Sequence, residues 1–386
     1  MCGIAGYIGK KTISTKSINS VMQVMVNRGP DFQDYFYKKY ERINICMIHS
    51  RLSIIDLNDR SNQPMIYRNK VIIFNGEIYN YVELKKILEN KNYKFKTNSD
   101  TEVLIKLYDY FGDDFYKYLE GMWSFAIFSL KEQKLILSRD RFGEKPLYYL
   151  KTAHGIYFGS ETRFIENLIN FKQEINRNKV LDYLSYGYNS VFLDNKTFKK
   201  NILSINPSTY TIIDHNLEIK RKKYLKIKKI KQTKENENEI LEKLSNLLQD
   251  ALKIRLRSDV KNIFCLSGGI DSGSLVSISA KIFNISVDTF SIIDSKSKKY
   301  NEQRLIALKE IPSDTWVSDA RVEADSLVIT FRPENKVIRY DFDWLMENNY
   351  DEVKNLKRGW ISQDHETRDS DLAFVPSCDF DKLIKR

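Results

Sequence analysis

The chain has 386 residues, of which 42% are hydrophobic and 12% aromatic, enough for two domains that each bury a core. The net charge of +11 invites a nucleic-acid hypothesis. Much of the excess lies in residues 220–234 without any recognition motif, so we expect no nucleic-acid partner. No run approaches the about 18 apolar residues of a spanning helix, and no secretory signal is evident. We therefore expect a cytoplasmic protein without membrane contact.

Four cysteines lie too far apart in the sequence to suggest a zinc site or a disulfide framework. Cys2 differs from the others, because removal of Met1 would place its thiol on the first residue. The free α-amine, with a pKa of about 7.7–8.0, could then accept the thiol proton, since a thiol has a pKa of about 8.5. Position 2 also tolerates many small residues, so Cys2 alone does not establish a nucleophile.

The first part of the chain alternates strand-length apolar runs, at residues 71–74, 125–130 and 135–137, with helix-like segments. This mixture predicts layered α and β structure. Within residues 99–119, apolar side chains recur at the spacing of one helical face. Asp100 stands at the start of this segment, where a helix cap is expected.

A second strand-rich stretch ends near residue 213, where a basic segment interrupts the apolar pattern. We predict a first domain over residues 1–213 and a basic linker over 214–238. Beyond it, residues 239–257 have the pattern of an amphipathic helix, and residues 262–266 that of a buried strand. A Gly-rich turn and a second helix over 274–283 follow. Strand, Gly-rich turn and helix in this order present an anion site at a helix N-terminus.

Seven short motifs follow one another in the first domain. They are CGIAG (2–6), RGPD (28–31), HSRLSIID (49–56), FNGEIYN (74–80), SDTE (99–102), SRDRFGEKPLYY (138–149) and FGSE (158–161). Together they resemble the glutaminase domain of the glutamine-hydrolysing asparagine synthetases, which are class II amidotransferases with an N-terminal cysteine. The resemblance implies an α+β N-terminal-nucleophile fold, an αββα sandwich.

The resemblance also implies a catalytic group. Cys2 would be the nucleophile that attacks the side-chain amide of glutamine. The Asn75 side chain and the Gly76 backbone N–H would donate to the resulting oxyanion, which needs donors that are fixed beforehand. Asn-Gly is also a common hairpin turn, and that alternative reading remains for this pair.

Three charged residues would bind the glutamine substrate by the same resemblance. Arg51 would hold the α-carboxylate, for which a bidentate guanidinium is suited. Glu77 and Asp100 would hold the α-ammonium group. Taken singly, Arg51 could instead form a surface ion pair and Asp100 could be a plain helix cap.

The Gly-rich turn is not a Walker A sequence, because it lacks the Gly-Lys-Ser/Thr ending. It resembles the pyrophosphate loop of ATP-dependent adenylating synthetases, with the ATP-binding set Leu266, Ser267, Gly268, Gly269, Asp271 and Ser272. The glycines would let the backbone approach the phosphates, and Asp271 would hold Mg²⁺ on the pyrophosphate. Residues 287–291 are expected to form the next parallel strand. The implied fold of residues 239–312 is a partial α/β ATP-pyrophosphatase-like domain.

The resemblance ends near residue 310. The family's second ATP-side motif, an acidic loop that selects and activates the acceptor carboxylate, is not found in the 386 residues. The synthetase half is therefore expected to be truncated or divergent. Residues 313–386 remain an unassigned tail, for which we predict strands at 326–331 and 337–342 around a turn at 333–335.

Three functions of different class remain open. The first is a glutamine-dependent amidotransferase with ATP and Mg²⁺ that transfers ammonia to an activated carboxylate, with aspartate as the default acceptor. Its acceptor site would be completed by the tail, by a homo-oligomer or by a partner. The second is a glutaminase that only delivers ammonia and carries a vestigial nucleotide-binding half. The third is a non-catalytic nucleotide-binding regulator, which Cys2 and the glutamine-binding set argue against.

Overall fold

The computed structural model describes residues 1–225, 235–267, 269–294, 317–323, 326–331 and 336–341. The chain divides into two compact units, and the division falls between residues 233 and 234. Each unit has its own sheets and helices, as the two-domain expectation requires.

The first unit contains twelve strands and five α-helices within its described residues. The strands are β1 (Gly3–Gly9), β2 (Phe32–Lys39), β3 (Asn44–Arg51), β4 (Met65–Tyr67), β5 (Lys70–Ile78), β6 (Gly121–Ser129), β7 (Lys134–Arg139), β8 (Tyr148–Thr152), β9 (Gly155–Gly159), β10 (Ile202–Ser204), β11 (Thr209–Ile213) and β12 (Ile219–Lys223). The helices are α1 (Thr15–Met25), α2 (Tyr81–Glu89), α3 (Asp100–Phe111), α4 (Thr162–Ile169) and α5 (Arg177–Tyr186). Short 3₁₀ helices span Asp59–Ser61, Gly112–Tyr118 and Tyr188–Phe192.

These strands form two six-stranded sheets, with the orders β10-β8-β9-β1-β3-β2 and β12-β11-β7-β6-β5-β4. The strand pairs within both sheets are antiparallel. The two inner faces meet in one core, where Ile4 and Met47 from one sheet join Ile73 and Phe128 from the other. Both faces of β1 and β3 are covered, so every residue of these two strands is buried.

Each sheet is covered on its outer face by helices. Helices α1 and α4 bury residues such as Val21 and Phe164 in a cluster with Tyr7 of β1. Helices α2 and α3 pack Leu84 and Leu104 in a cluster with residues of the second sheet. Two packed sheets between two helical layers form the expected αββα sandwich.

The first unit extends further than the sequence indicated. Strand β12 lies inside the segment 214–238 that was expected to be a linker, and Lys223 of β12 pairs with Thr209 of β11. The strand is rich in Lys and Arg, because it lies at the sheet edge with its side chains mostly exposed. A basic composition therefore concealed an edge strand.

The second unit contains α6 (Glu237–Arg255), β13 (Ile263–Cys265), α7 (Ile270–Ser277), β14 (Asp288–Asp294), β15 (Val317–Glu323), β16 (Ser326–Phe331) and β17 (Lys336–Asp341). A π-helical turn, Ile278–Ile282, follows α7. These strands form a sheet in the order β13-β14-β15-β16-β17. The first three are parallel, and the last two add antiparallel pairs.

The helices and strands expected in the second unit are present where the structure describes it. Strand β13 was expected to be buried, but its residues Ile263 and Cys265 are exposed. Helix α6 begins with a capping box formed by Asn236 and Glu239. Helix α7 follows strand β13 through the Gly-rich turn, and strands β16 and β17 match the two strands expected in residues 313–386. The turn expected at 333–335 lies outside the described residues.

Candidate active site

The first unit contains a cavity of about 220 Å³ that brings the candidate glutamine residues together. Its walls include Cys2, Arg51, Asn75, Gly76, Glu77 and Asp100, and also Met1, Leu52, Gln63, Ser99 and Lys145. The volume lies below the about 300–1,000 Å³ of sites for drug-sized ligands, and it suits a ligand as small as an amino acid. All six residues predicted for the glutamine site thus line one cavity.

Cys2 lies just before β1, and hydrogen bonds position both its backbone carbonyl and its thiol. Arg28 donates from Nε to the Cys2 carbonyl oxygen at 3.0 Å. The Leu52 N–H lies 3.4 Å from Sγ and can donate to it. Burial raises the pKa of the Cys2 thiol above its ordinary value, while the Leu52 N–H and nearby positive charges, including Arg51, oppose that rise.

Asn75 and Gly76 lie inside strand β5, so the pair does not form a hairpin turn. In the pairing with β6, Asn75 stands opposite Ser124 and Gly76 opposite Trp123. A Cβ on Gly76 would lie 2.1 Å from the Met122 carbonyl oxygen, which explains the glycine. The Asn75 amide nitrogen is 3.4 Å from the Ser124 hydroxyl, and its side-chain oxygen is buried without a partner. The Asn75 side-chain amide therefore contributes few hydrogen bonds to the fold.

Arg51 is the last residue of strand β3, and its guanidinium donates hydrogen bonds to oxygens of the loop 55–62. Nη1 donates to the Asn58 carbonyl at 2.9 Å and to Asn62 Oδ1 at 2.7 Å. Nη2 donates to the carbonyls of Ile55 and Asp56. Every one of these acceptors is neutral, and Arg51 forms no ion pair in the described part of the chain. The surface ion pair considered above is therefore not observed, and a buried positive charge remains for an anion.

Asp100 is the first residue of α3, but it does not cap this helix. Ser99 is the cap, since its side chain accepts from the Glu102 N–H. The Asp100 carboxylate instead accepts from the Ile78 N–H at 2.9 Å. Burial raises the pKa of Asp100 to about 7, and the neighbouring Glu77 carboxylate adds to the rise. Two acidic groups thus lie side by side in the cavity wall, an arrangement that favours a cationic ligand.

Lys145 also lines this cavity, although it was not among the residues predicted for the glutamine site. Its Nζ donates to the Met1 thioether sulfur at 3.2 Å. The backbone N–H of Lys145 donates to Asp140, and its carbonyl accepts from Arg139 Nε at 2.7 Å. Burial lowers the pKa of the Lys145 ammonium group. Lys145 lies within the motif 138–149, and this position in a family motif is the sequence feature that could have indicated a role in the site.

In the second unit, the Gly-rich turn lies between β13 and α7. The Ser267 N–H donates to Ser272 Oγ at 3.1 Å, and Ser272 Oγ donates to the Gly269 carbonyl at 3.2 Å. Leu266 is buried beneath the turn, and its N–H donates to the Phe290 carbonyl of β14 at 2.8 Å. Gly268, one of the six residues of the predicted ATP-binding set, lies outside the described residues.

The residues of this turn fit a phosphate group. Gly269 is the N-cap position of α7 and supplies no side-chain cap, so the first N–H groups of the helix remain for a ligand. Ser267 and Asp271 are exposed at the mouth of the turn. The described residues contain no cluster of three or more metal-ligating side chains. Asp271 would therefore hold a metal ion only together with phosphate oxygens, as Mg²⁺ sites commonly do.

The αββα sandwich, with a cysteine at the start of its first strand, places this protein in the N-terminal-nucleophile class. A family model described as a glutamine amidotransferase domain matches residues 1–225, and the chain belongs to that family. A second model, described as asparagine synthase, matches residues 243–308. The resemblance to glutamine-hydrolysing asparagine synthetases is confirmed.

The chain is similar to several curated proteins of this name. It is 36% identical to a putative glutamine-hydrolysing asparagine synthetase 2 of Methanocaldococcus jannaschii, over 80% of this chain and 62% of the relative. It is 34% identical to asparagine synthetase 1 of Bacillus subtilis, over 76% of this chain and 46% of the relative. The chain thus spans between about half and three fifths of the length of these relatives.

Among solved structures, the chain is similar to a glutamine phosphoribosylpyrophosphate amidotransferase from Bacillus subtilis. The TM-score is 0.43 and the identity 18%, over 57% of this chain and 49% of that one. The fold assignment rests on the two sheets and the two helical layers themselves. In the described residues, no helix is both long and apolar enough to cross a membrane.

Proposed function

We propose that this protein is a glutamine-dependent amidotransferase that hydrolyses glutamine at Cys2 and passes the ammonia to an ATP-activated carboxylate. The observation that carries the proposal is the cavity of about 220 Å³, which gathers a thiol, an amide donor, a buried cation and two carboxylates. These are the groups that glutamine hydrolysis requires, and they come from separate parts of the chain. A purely structural cavity would not need them together.

The charges of the cavity fix the orientation of a bound glutamine. Arg51 has only neutral acceptors, so its positive charge can attract the α-carboxylate of the substrate. Both Nη groups already donate to two oxygens each, so the attraction is between charges and differs from the bidentate contact expected from the sequence. Asp100 and Glu77 are adjacent acids, and the α-ammonium group would relieve their repulsion. The side-chain amide then points away from these charges toward Cys2.

The reaction begins with proton transfer from the Cys2 thiol to a base. Removal of Met1 would free the Cys2 α-amine for this purpose. Sγ then attacks the amide carbon, and the oxyanion accepts hydrogen bonds from the Asn75 amide and the Gly76 N–H. As this intermediate collapses, the base returns the proton to the amide nitrogen, the C–N bond breaks to release ammonia, and a thioester remains on Cys2. Water hydrolyses the thioester and releases glutamate.

The second unit would supply the energy for ammonia transfer. Ser267, Gly269 and Ser272, with the N-terminus of α7, would hold the phosphates of ATP, and Asp271 would hold Mg²⁺ between them. ATP would activate the carboxylate that receives the ammonia. Aspartate is the default acceptor, because the curated proteins to which the chain is similar are named as asparagine synthetases.

A second candidate is a glutaminase that only delivers ammonia. It requires only the glutamine cavity, and all six residues predicted for that cavity lie in the first unit. The glutamine cavity has the same function in both candidates. They differ in whether ATP and an acceptor are consumed, which product analysis decides.

The test is mass analysis of the N-terminus and of the products from glutamine, MgATP and aspartate, with each component omitted in turn. We expect a chain that begins at Cys2, and complete loss of glutamate release in Cys2→Ala with unchanged melting temperature. Cys265→Ala is the control, because Cys265 is an exposed thiol of the second unit. Full activity with Met1 intact, or an active Cys2→Ala variant, would disprove the mechanism. Glutamate release without ATP consumption, with aspartate and with other carboxylates supplied as acceptors, would select the second candidate.

A further inference from the structure

We propose that Lys145 is a positioning residue of the glutaminase reaction, whose ammonium group stabilises the Cys2 thiolate once the base has taken the thiol proton. The inference rests on the proposed function and adds to it a group that is absent from the predicted glutamine set. It concerns only the first unit and its cavity.

The surroundings of Lys145 are unusual for a lysine. The residue is only 6% exposed, and it lines the same cavity as Cys2. Its Nζ donates to the sulfur of Met1, the residue joined to Cys2. A thioether is a weak acceptor, and Lys145 forms no ion pair in the described part of the chain. Burial of an ammonium group under these conditions is unfavourable, so a negative charge formed in the cavity would be stabilised there.

The backbone of Lys145 is fixed on both sides. The buried Asp140 carboxylate accepts from the N–H groups of Phe142, Glu144 and Lys145, at 3.0, 2.9 and 2.9 Å. Arg139 donates to the Lys145 carbonyl. A loop held at these three N–H groups fixes the point from which the Lys145 side chain extends, and fixed charges stabilise a developing charge better than mobile ones. The loop thus serves to position this ammonium group.

The charged groups around the two residues favour this assignment. Those acting on Cys2 are the N-terminal amine, Arg51 and Lys145, and those acting on Lys145 are Glu77, Cys2, Arg28 and Glu144. The terminal amine must lose its proton to act as the base, and Arg51 is directed to four carbonyl oxygens. Lys145 is the remaining cation that can offset the burial of the thiolate. Removal of its charge should therefore raise the pKa of the Cys2 thiol.

The test measures the alkylation of Cys2 by iodoacetamide as a function of pH, followed by mass analysis of the N-terminal peptide. In Lys145→Met and Lys145→Gln we expect the midpoint to rise by about one pH unit, which means about tenfold slower alkylation at pH 7. Lys145→Arg should keep the wild-type midpoint, since it restores the charge. Intact mass is recorded, so that variants are compared with the same N-terminal residue.

Lys106→Met is the matched control, because Lys106 is a buried lysine whose ammonium is paired with Glu102 on α3. It should leave the midpoint unchanged. Two uncharged replacements of different polarity are used, so that at least one variant with wild-type circular dichroism can be compared. An unchanged midpoint in a folded uncharged variant, or a higher KM for glutamine as the sole effect, would overturn the proposal. Since alkylation needs no glutamine, the result is independent of whether the protein hydrolyses it.

Discussion

The proposed glutamine cavity and the Gly-rich turn, which is the proposed nucleotide site, differ in how many of their polar groups are buried and held in place by the protein. In the cavity, Asn75, Arg51 and Asp100 are 1%, 5% and 5% exposed, and they extend from strands and a helix of the sandwich. In the turn, Ser267 and Asp271 are exposed, and the hydroxyl groups bond mainly to the turn itself. The cavity is preorganised for chemistry, whereas the turn offers contacts to a ligand.

This difference follows from the work proposed for each site. An oxyanion exists only during the reaction, so its donors must be in place beforehand, which requires burial. Phosphate groups are present throughout binding, and exposed N–H groups at a helix start can bind them without a closed cavity. Substitutions in the cavity should therefore affect turnover strongly, and substitutions in the turn should affect binding modestly.

The largest expected effect is that of Asn75→Ala on turnover. Loss of one oxyanion donor costs about 2.7–4 kcal/mol of barrier, so kcat for glutamine hydrolysis should fall by about 10²–10³-fold. The melting temperature should hardly change, because the Asn75 amide makes one long hydrogen bond and has an unpartnered oxygen. Steady-state kinetics and thermal melts measure the two quantities.

Asn44→Ala is the control for this variant. Asn44 is a buried amide that donates to the carbonyls of Lys10 and Lys11, both at 3.2 Å. Its removal should lower stability by about 1–3 kcal/mol and leave kcat unchanged. If both variants lost stability and neither lost kcat, Asn75 would be a structural residue.

An intermediate effect is expected for Asp100→Asn. The pKa of Asp100 is raised to about 7 in the folded protein, so the folded state binds more protons than the unfolded state. Asp100 therefore lowers the stability of the wild type as pH rises from about 4 to 7, and the loss persists above pH 7. The asparagine variant should melt higher than the wild type at pH 8, and by a smaller margin at pH 5. Its KM for glutamine should rise about tenfold, since one partner of the ammonium group is lost.

Asp140→Asn should have the opposite effect on stability. The Asp140 carboxylate accepts from several backbone N–H groups, so its charge stabilises the loop that carries Lys145. Melting curves of both variants at pH 5 and pH 8 make the comparison. A lower melting temperature of Asp100→Asn at pH 8 would show that the Asp100 carboxylate supports the fold instead of the ligand.

Much of the cavity could be predicted from the sequence, because its residues occur in ordered motifs. Two local readings needed the structure. Asn75-Gly76 could have been a hairpin turn, and only the pairing with β6 shows it inside a strand. Asp100 stood where a cap is expected, but Ser99 one residue earlier takes that role. Both depend on partners far away in the chain, which local patterns do not contain.

Two other features, strand β12 and the position of Lys145, were not predicted from the sequence. Strand β12 is basic enough to resemble a linker, since edge strands carry exposed charges. Lys145 was part of a recognised motif, but its burial beside Met1 is a tertiary property. In the second unit, the order of strand, turn and helix was predictable from the apolar pattern, because each element is short and local.

The smallest effect is expected for Asp271→Ala in the nucleotide turn. Asp271 is exposed and lies in the first turn of α7, so the fold should not depend on it. Loss of one magnesium ligand that acts together with phosphate oxygens should weaken MgATP binding by about five- to tenfold in calorimetry. Asp250→Ala, which changes an exposed carboxylate on α6, should bind MgATP as the wild type does.

Ser272→Ala should weaken binding more than Asp271→Ala, because Ser272 joins the two sides of the turn through the Ser267 N–H and the Gly269 carbonyl. Equal binding in all these variants would place the nucleotide elsewhere. If MgATP binding by Asp271→Ala fell by a larger factor than kcat falls in Asn75→Ala, the turn would be as strongly preorganised as the cavity.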